Sequence, residues 1–301
     1  MYRIVHRTEY VYDAPVSSSF GDVHLQPRTT TTQQCYSAAV TIEPFPEDYR
    51  ERRDFFGNRA AHFNVREPHT TLVVTATSTV DVKRRPLGDA QALNQTWEQV
   101  QQRLRDDSDA ETIEARQFAL RSPSVPASPD AAKFAAPSFT PDRPILEAVA
   151  DLNHRIYSEF EYAPGVTSVE TTVEQVLQRR SGVCQDFAHV ALAGLRSVGL
   201  AARYVSGYLE TVPPPGEVRL TGADMSHAWV SVYVPAYGWV DIDPTNDQLV
   251  NDRYITVAWG RDYQDVAPLK GVIFTEAENH ELIVTVDVVA VPDNDPDAAG
   301  I

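Results

Sequence analysis

The stretch Arg180-Ser-Gly-Val-Cys-Gln-Asp-Phe-Ala-His-Val-Ala-Leu-Ala-Gly-Leu-Arg-Ser-Val198 carries the reading of the fold. Val183, Phe187, Val190, Ala191, Gly194, Leu195 and Val198 fall on one stripe at helical spacing, which predicts an amphipathic helix over 183–198. Ser181 is placed to cap that helix and Gly199 to close it, while Gly182 lets the chain turn sharply or approach a substrate. Cys184 lies in the first turn, where unpaired amide N–H groups and the positive end of the helix dipole favour a thiolate. A lone cysteine beside Ala188, Ala191 and Leu195 would otherwise read as a small buried hydrophobe. Its surroundings in the sequence have to decide.

Downstream, Ala202-Arg-Tyr-Val-Ser-Gly-Tyr-Leu209, His227-Ala-Trp-Val-Ser-Val-Tyr-Val234, Trp239-Val-Asp-Ile-Asp243 and His280–Val289 alternate as strands do. Upstream, Pro144–Tyr157 and Thr172–Leu177 have helical spacing, so residues 144–292 form an α+β domain. Ahead of it, Arg3–Tyr12, Cys35–Pro44 and His69–Val82 alternate between turn residues. They predict an N-terminal β-sandwich over residues 1–85, of about six or seven strands. Residues 86–143 are polar, helix-permissive and then rich in proline, which marks a connector. Residues 293–301 are expected to be a frayed tail.

The two residues that give Cys184 a chemistry are His227 and Asp243. With a three-residue hairpin connection, Val234–Ala236, they lie opposite one another on one face. With a four-residue connection, Pro235–Gly238, Asp243 turns to the other face. In the first register Asp243 can accept from one imidazole nitrogen and leave the other for the thiol. That is the nucleophile, base and orienter of a thiol acyl-transfer triad. Asp186 and His189 project away from Cys184 on the same helix and are read as structural. A metal site from Cys184, His189, His227 and Asp243 lacks ligand-pair spacing, and no cofactor motif appears.

Composition narrows the partners. The chain of 301 residues has 42 acidic and 26 basic side chains, a formal charge of −16. Such a surface repels phosphate backbones and anionic lipid, so neither nucleic acid nor membrane is expected. Met1–Tyr10 breaks any apolar run too early for a signal peptide, and a cytoplasmic location is expected. Two cysteines, Cys35 and Cys184, make no disulfide framework, and no resolving cysteine lies near Cys184 for redox chemistry.

Four blocks in order resemble the bacterial transglutaminase-like family: Arg180–Val190, Gly199–Leu209, Ser226-His-Ala-Trp-Val230 and Gly238-Trp-Val-Asp-Ile-Asp-Pro-Thr245. Tyr254–Val272 and the first eighty or so residues resemble the rest of that family, so nearly the whole chain is covered. The resemblance implies a papain-like core with Cys184 as nucleophile, His227 as base and then acid, and Asp243, the aspartate before Pro-Thr, as orienter. Ser231 departs from the glutamate usual on that strand, which weakens any claim about substrate contacts there. The Cys184 N–H is the natural first oxyanion donor; Tyr162 and the Gln185 side chain are candidates for the second. The expected reaction is hydrolysis of a peptide, isopeptide or glutamine amide bond in a peptide or protein substrate. The alternatives are transfer of the γ-glutamyl group to an amine, and a catalytically silent scaffold. Oligomeric state is left open.

Overall fold

The computed structural model describes residues 1–84, 87, 91–211 and 225–291; the tail 293–301 lies outside them. The N-terminal region contributes β1 (Tyr2–Val23), β2 (Gln33–Glu43), β3 (Asp48–Arg53), β4 (Arg59–Val65) and β5 (His69–Val82). Next come α1 (Trp97–Asp106), α2 (Ala110–Ala115), α3 (Pro129–Ala135), α4 (Ile145–Glu159), β6 (Glu161–Tyr162), α5 (Val173–Arg179), β7 (Ser181–Gly182) and α6 (Cys184–Ser197). The chain then forms β8 (Ala202–Leu209), β9 (Met225–Val234), β10 (Gly238–Asp243), β11 (Gln248–Leu249), β12 (Tyr254–Gly260), α7 (Tyr263–Val266), β13 (Leu269–Thr275) and β14 (His280–Ala290).

Helix α6 is the centre of the α+β core. Every residue from Asp186 to Leu195 is buried, so the helix is covered all round rather than on one stripe. Strands β8 and β9 lie on one side and α3, α4 and α5 on the other. The small residues Ala188, Ala191, Ala193 and Gly194 carry no bulk that would mark a solvent face, which is why periodicity read a narrower stripe. Ser181 does not cap this helix. It pairs with Glu161 in a short parallel ladder, and the side chain of Asp186 caps instead, accepting from the Val183 N–H at 2.8 Å. Gly182 serves that cap: a Cβ there would stand 2.7 Å from the Asp186 carboxylate. Gly199 does close the helix, in the left-handed region at φ +74°.

The connector assigned to 86–143 is part of this core. Leu93, Val100, Phe134 and Ala135 are buried in one cluster with Val190 and Leu195. Its prolines mark helix starts as well as turns: Pro129 opens α3, behind a Ser128 cap that accepts from the Ala131 N–H at 3.2 Å.

The N-terminal strands and β13 and β14 form one seven-stranded sheet. The first part of the 22-residue β1 lies between β5 and β14, and its last part between β4 and β13. Side chains from both parts, among them Tyr12, Ile42, Phe63, Leu72 and Val74, share one core. The sandwich expected over 1–85 is thus a single sheet folded over on β1. Strand β14, expected within the 144–292 domain, fills the remaining edge of β1 instead. Alternation identifies a strand but not its partner, and an open edge of β1 would have left a row of unpaired backbone groups.

The second sheet has the order β11-β10-β9-β8-β12, which leaves β12 at an edge. Two amide side chains from the N-terminal region cover that edge. Gln33 donates to the Thr256 carbonyl at 2.7 Å and accepts from the Thr256 N–H at 2.8 Å. Asn58 does the same to Trp259, at 2.8 and 3.0 Å. Each amide imitates one rung of strand pairing, so β12 is held as if it had a further neighbour.

Candidate active site

The hairpin β9–β10 turns through three residues, Pro235–Tyr237, with Val234 paired to Gly238 and Ile242 to Val230. This connection starts one residue later than the Val234–Ala236 loop and keeps the favourable parity. One further step of the same register sets Asp243 level with Trp229, so His227 and Asp243 are diagonal neighbours on one face rather than directly opposite. The diagonal is short enough for contact: His227 Nε2 and Asp243 Oδ2 are 2.8 Å apart. Nδ1 is left for the thiol of Cys184, which stands close enough to the imidazole to act on its pKa.

Asp243 is fully buried and held by five donors. His227 and the Tyr254 hydroxyl (2.6 Å) both reach Oδ2, as does the Asn246 amide (2.6 Å). The backbone N–H groups of Thr245 and Asn246 reach Oδ1 at 2.8 and 3.3 Å. Burial alone would raise the pKa of this carboxyl. The bonds from His227, Tyr254 and Asn246, with the charge of His227, outweigh it and hold the pKa below the usual carboxylate value. For His227, burial pushes toward the neutral ring. The bond to Asp243 and its charge, with the neighbouring Cys184 side chain, outweigh it and raise the imidazole to about 10.

The floor beneath the imidazole is aromatic. Trp229, fully buried, has its ring centroid 6.3 Å from that of His227 and 5.4 Å from that of Tyr254. Gly207 pairs with His227 on the adjacent strand. A Cβ there would stand 2.1 Å from the Ile255 carbonyl and 2.5 Å from the Trp229 ring, so only glycine lets the strands and the indole close up.

The remaining sequence candidates are placed as follows. The pair β6–β7, Tyr162 opposite Gly182, brings Tyr162 beside the helix start. Its ring lies edge-on to Phe187 at 6.4 Å, and its hydroxyl pKa is raised by burial and by the neighbouring Cys184. Gln185 is half-buried one residue into the helix. Asp186 caps the helix and accepts from the Thr167 hydroxyl at 2.7 Å; His189, 4% exposed, accepts from the Tyr263 N–H at 3.2 Å. Both are structural, as read. Among the described residues no group of three His, Cys, Asp or Glu is placed to hold a metal ion. Sequence reasoning missed Asn246 and Tyr254. Asn246 follows Asp243 by three residues, within reach of an Asx-type turn. Tyr254 opens a strand whose neighbour could not be known from the sequence.

Residues 2–81 match the bacterial transglutaminase-like N-terminal region and residues 132–244 the transglutaminase-like superfamily. The second span contains Cys184, His227 and Asp243. An uncharacterized protein of Mycobacterium tuberculosis (strain H37Rv) is 48% identical over 296 residues, which cover 96% of this chain and 92% of the relative. The protein-glutamine gamma-glutamyltransferase of Pseudomonas aeruginosa is 32% identical over 94 residues, 31% of this chain and 14% of that protein. Among solved structures, a candidate cysteine protease from Cytophaga hutchinsonii shares the fold, with a TM-score of 0.73 at 23% identity over 97% of this chain and 92% of that one. The chain belongs to the transglutaminase-like superfamily, in the group that carries the bacterial transglutaminase-like N-terminal region.

Proposed function

We propose that the protein is a thiol enzyme that cleaves amide bonds through a thioester on Cys184. The observation that carries this reading is that Cys184, at the start of α6, stands beside His227, which is bonded at 2.8 Å to a fully buried, multiply bonded Asp243. The Cys184 sulfur attacks the amide carbonyl, and a C–S bond forms. The proton on His227 Nδ1 passes to the leaving amine as the C–N bond breaks. Water then adds to the thioester, His227 takes its proton, and the thiol leaves with a proton restored. Asp243 keeps the imidazole in the tautomer and orientation that both half-reactions need. The N–H of Cys184, at the start of α6, is the first oxyanion donor, and the Tyr162 hydroxyl the second. Gln185 has no comparable support.

Hydrolysis is favoured because water needs no binding site of its own. The similarity to the Pseudomonas aeruginosa γ-glutamyltransferase favours a second reading, in which a primary amine resolves the same thioester. One experiment addresses both. The protein is incubated with glutamine-containing peptides and with isopeptides, with and without a primary amine, and protein and peptide masses are followed. An acyl adduct on Cys184 with deamidated or cleaved product is expected; amine-bearing product in its place would select the transferase. No adduct and no product across such a panel would sink the enzyme reading.

A further inference from the structure

The five-stranded sheet has a cleft of about 1140 Å³ on the face away from α6. The face is the one that carries His227 and Asp243, but the buried pair Trp229 and Tyr254 separates the cleft from them. At its base is Arg203 on β8, 9% exposed. The guanidinium lies 4.0 Å from the ring centroid of Trp239 and 3.7 Å from that of Trp259, with both tryptophans lining the cleft. Among the described residues no carboxylate lies within ion-pair reach of Arg203, and its Nε is buried with no hydrogen-bond partner. Ser231, its partner on β9, is fully buried with an unpartnered hydroxyl. The nearby Asp241, whose charge acts on Arg203, is paired through Oδ2 with Arg84 at 2.8 Å, and its Oδ1 is buried with no hydrogen-bond partner. A buried cation with no hydrogen-bonded anion among the described residues is costly, and this one sits between two rings in a slot that opens on solvent.

The chemistry of that slot is specific. Two indoles lie against the guanidinium, at 4.0 and 3.7 Å from their centroids, and restrict where its fork of donors can turn. A fork of this kind matches the two oxygens of a carboxylate. The other groups bearing on the cleft choose among anions. Glu111 and Glu114, exposed on α2, line it with no ion pair among the described residues, and Asp252 and Arg84 line it too. These acids, on a chain of charge −16, disfavour a phosphate dianion or a polyanion and favour a ligand that carries a cation beside its carboxylate. The volume exceeds what a single amino acid fills.

We propose that this cleft binds the C-terminus of a peptide ending in a basic residue, with the α-carboxylate on Arg203 and the basic side chain toward Glu111 and Glu114. The site is independent of the thiol chemistry, and its test is arranged to stay so. The full chain carrying Cys184→Ala, which cannot form a thioester, is titrated with Gly-Gly-Arg as the free acid and as the C-terminal amide. Binding is followed by calorimetry and by the fluorescence of the flanking tryptophans. The free acid should bind about 30-fold more tightly than the amide, the worth of one charge-assisted hydrogen-bonded pair. Arg203→Gln should reduce the acid to the affinity of the amide and leave the amide unchanged. Glu111→Gln with Glu114→Gln should weaken Gly-Gly-Arg but not Gly-Gly-Ala. Equal affinity for acid and amide overturns the proposal without any substitution in the cleft, whatever the folding of the Arg203 variant. Free arginine binding as tightly as the tripeptide overturns the peptide as ligand and assigns the site to a free amino acid.

Discussion

The two cysteines of this chain have the same side chain in opposed surroundings. Cys35 sits on β2 paired with Val80, half-buried, and its thiol donates to the Ser37 carbonyl at 3.4 Å. Burial there pushes the thiol pKa up, and Arg59 offsets it only in part. Cys184 is also half-buried, yet it starts a helix whose first amides are free, and its neighbour is an imidazole backed by a carboxylate. Exposure therefore does not separate them. What differs is whether the negative charge of a thiolate has something to meet, and that depends on elements far apart in the sequence.

The largest break in this contrast should come from His227→Ala. At pH 6, alkylation of Cys184 by iodoacetamide should slow by about 100-fold or more, because no base remains to take the thiol proton. Cys35 labelling, followed by peptide mass mapping of the same sample, should stay as it is. If Cys184 keeps its rate, the imidazole is not the group that activates it.

Asp243→Asn should act less strongly. An asparagine oxygen still accepts from His227 Nε2 but brings no charge, so a loss of about 10-fold in Cys184 reactivity is expected. Its signature lies in the pH dependence of stability. His227 is raised from 6.5 to about 10, so between these values the folded chain holds a proton that the unfolded chain has released. That stabilisation is complete below 6.5 and is lost as the pH rises through about 10. The Tm difference between the native chain and Asp243→Asn should accordingly be widest between about pH 5 and 6.5 and shrink as the pH rises. A difference that is flat with pH would mean that Asp243 holds the loop and not the proton.

Tyr254→Phe removes one of several donors to Asp243 and leaves the rest. A loss of about 3-fold in Cys184 reactivity, with about 1 kcal/mol of stability, is the expected outcome of urea unfolding and alkylation together. An effect as large as that of Asp243→Asn would mark Tyr254 as the group that sets the carboxylate's position.

The sequence displayed the near neighbours of the site and hid the distant ones. Cys184 at a helix start, and His227 and Asp243 on one hairpin, are matters of local period and loop length. The hairpin loop lies one residue later than the sequence suggests, and the shared face stands because parity, not the exact partner, decides it. Ser181 has the chemistry of an α6 cap but is taken up by pairing with Glu161. Tyr254 and the C-terminal strand β14 were out of reach for another reason. Each is positioned by a strand neighbour with no mark in its own alternation, and β14 crosses the whole chain to find β1.

The same long reach gives the N-terminal sheet a part in the site, and it sets the smallest expected change in reactivity. Asn58 is fully buried, and its amide holds both the carbonyl and the N–H of Trp259 on β12, the strand that begins with Tyr254. It also accepts from Arg28 at 2.5 Å and donates to Asp54 at 2.7 Å. Asn58→Ala strands these partners in a buried place and should cost about 2–4 kcal/mol in chemical unfolding. Cys184 alkylation should change by less than about 2-fold, because Gln33 still holds Thr256, nearer to Tyr254, and the carboxylate keeps its other donors. If reactivity falls along with stability, the N-terminal sheet tunes the thiol through β12. If stability alone falls, the sheet is a brace for an edge strand, and the contrast between the two cysteines belongs wholly to the α+β core.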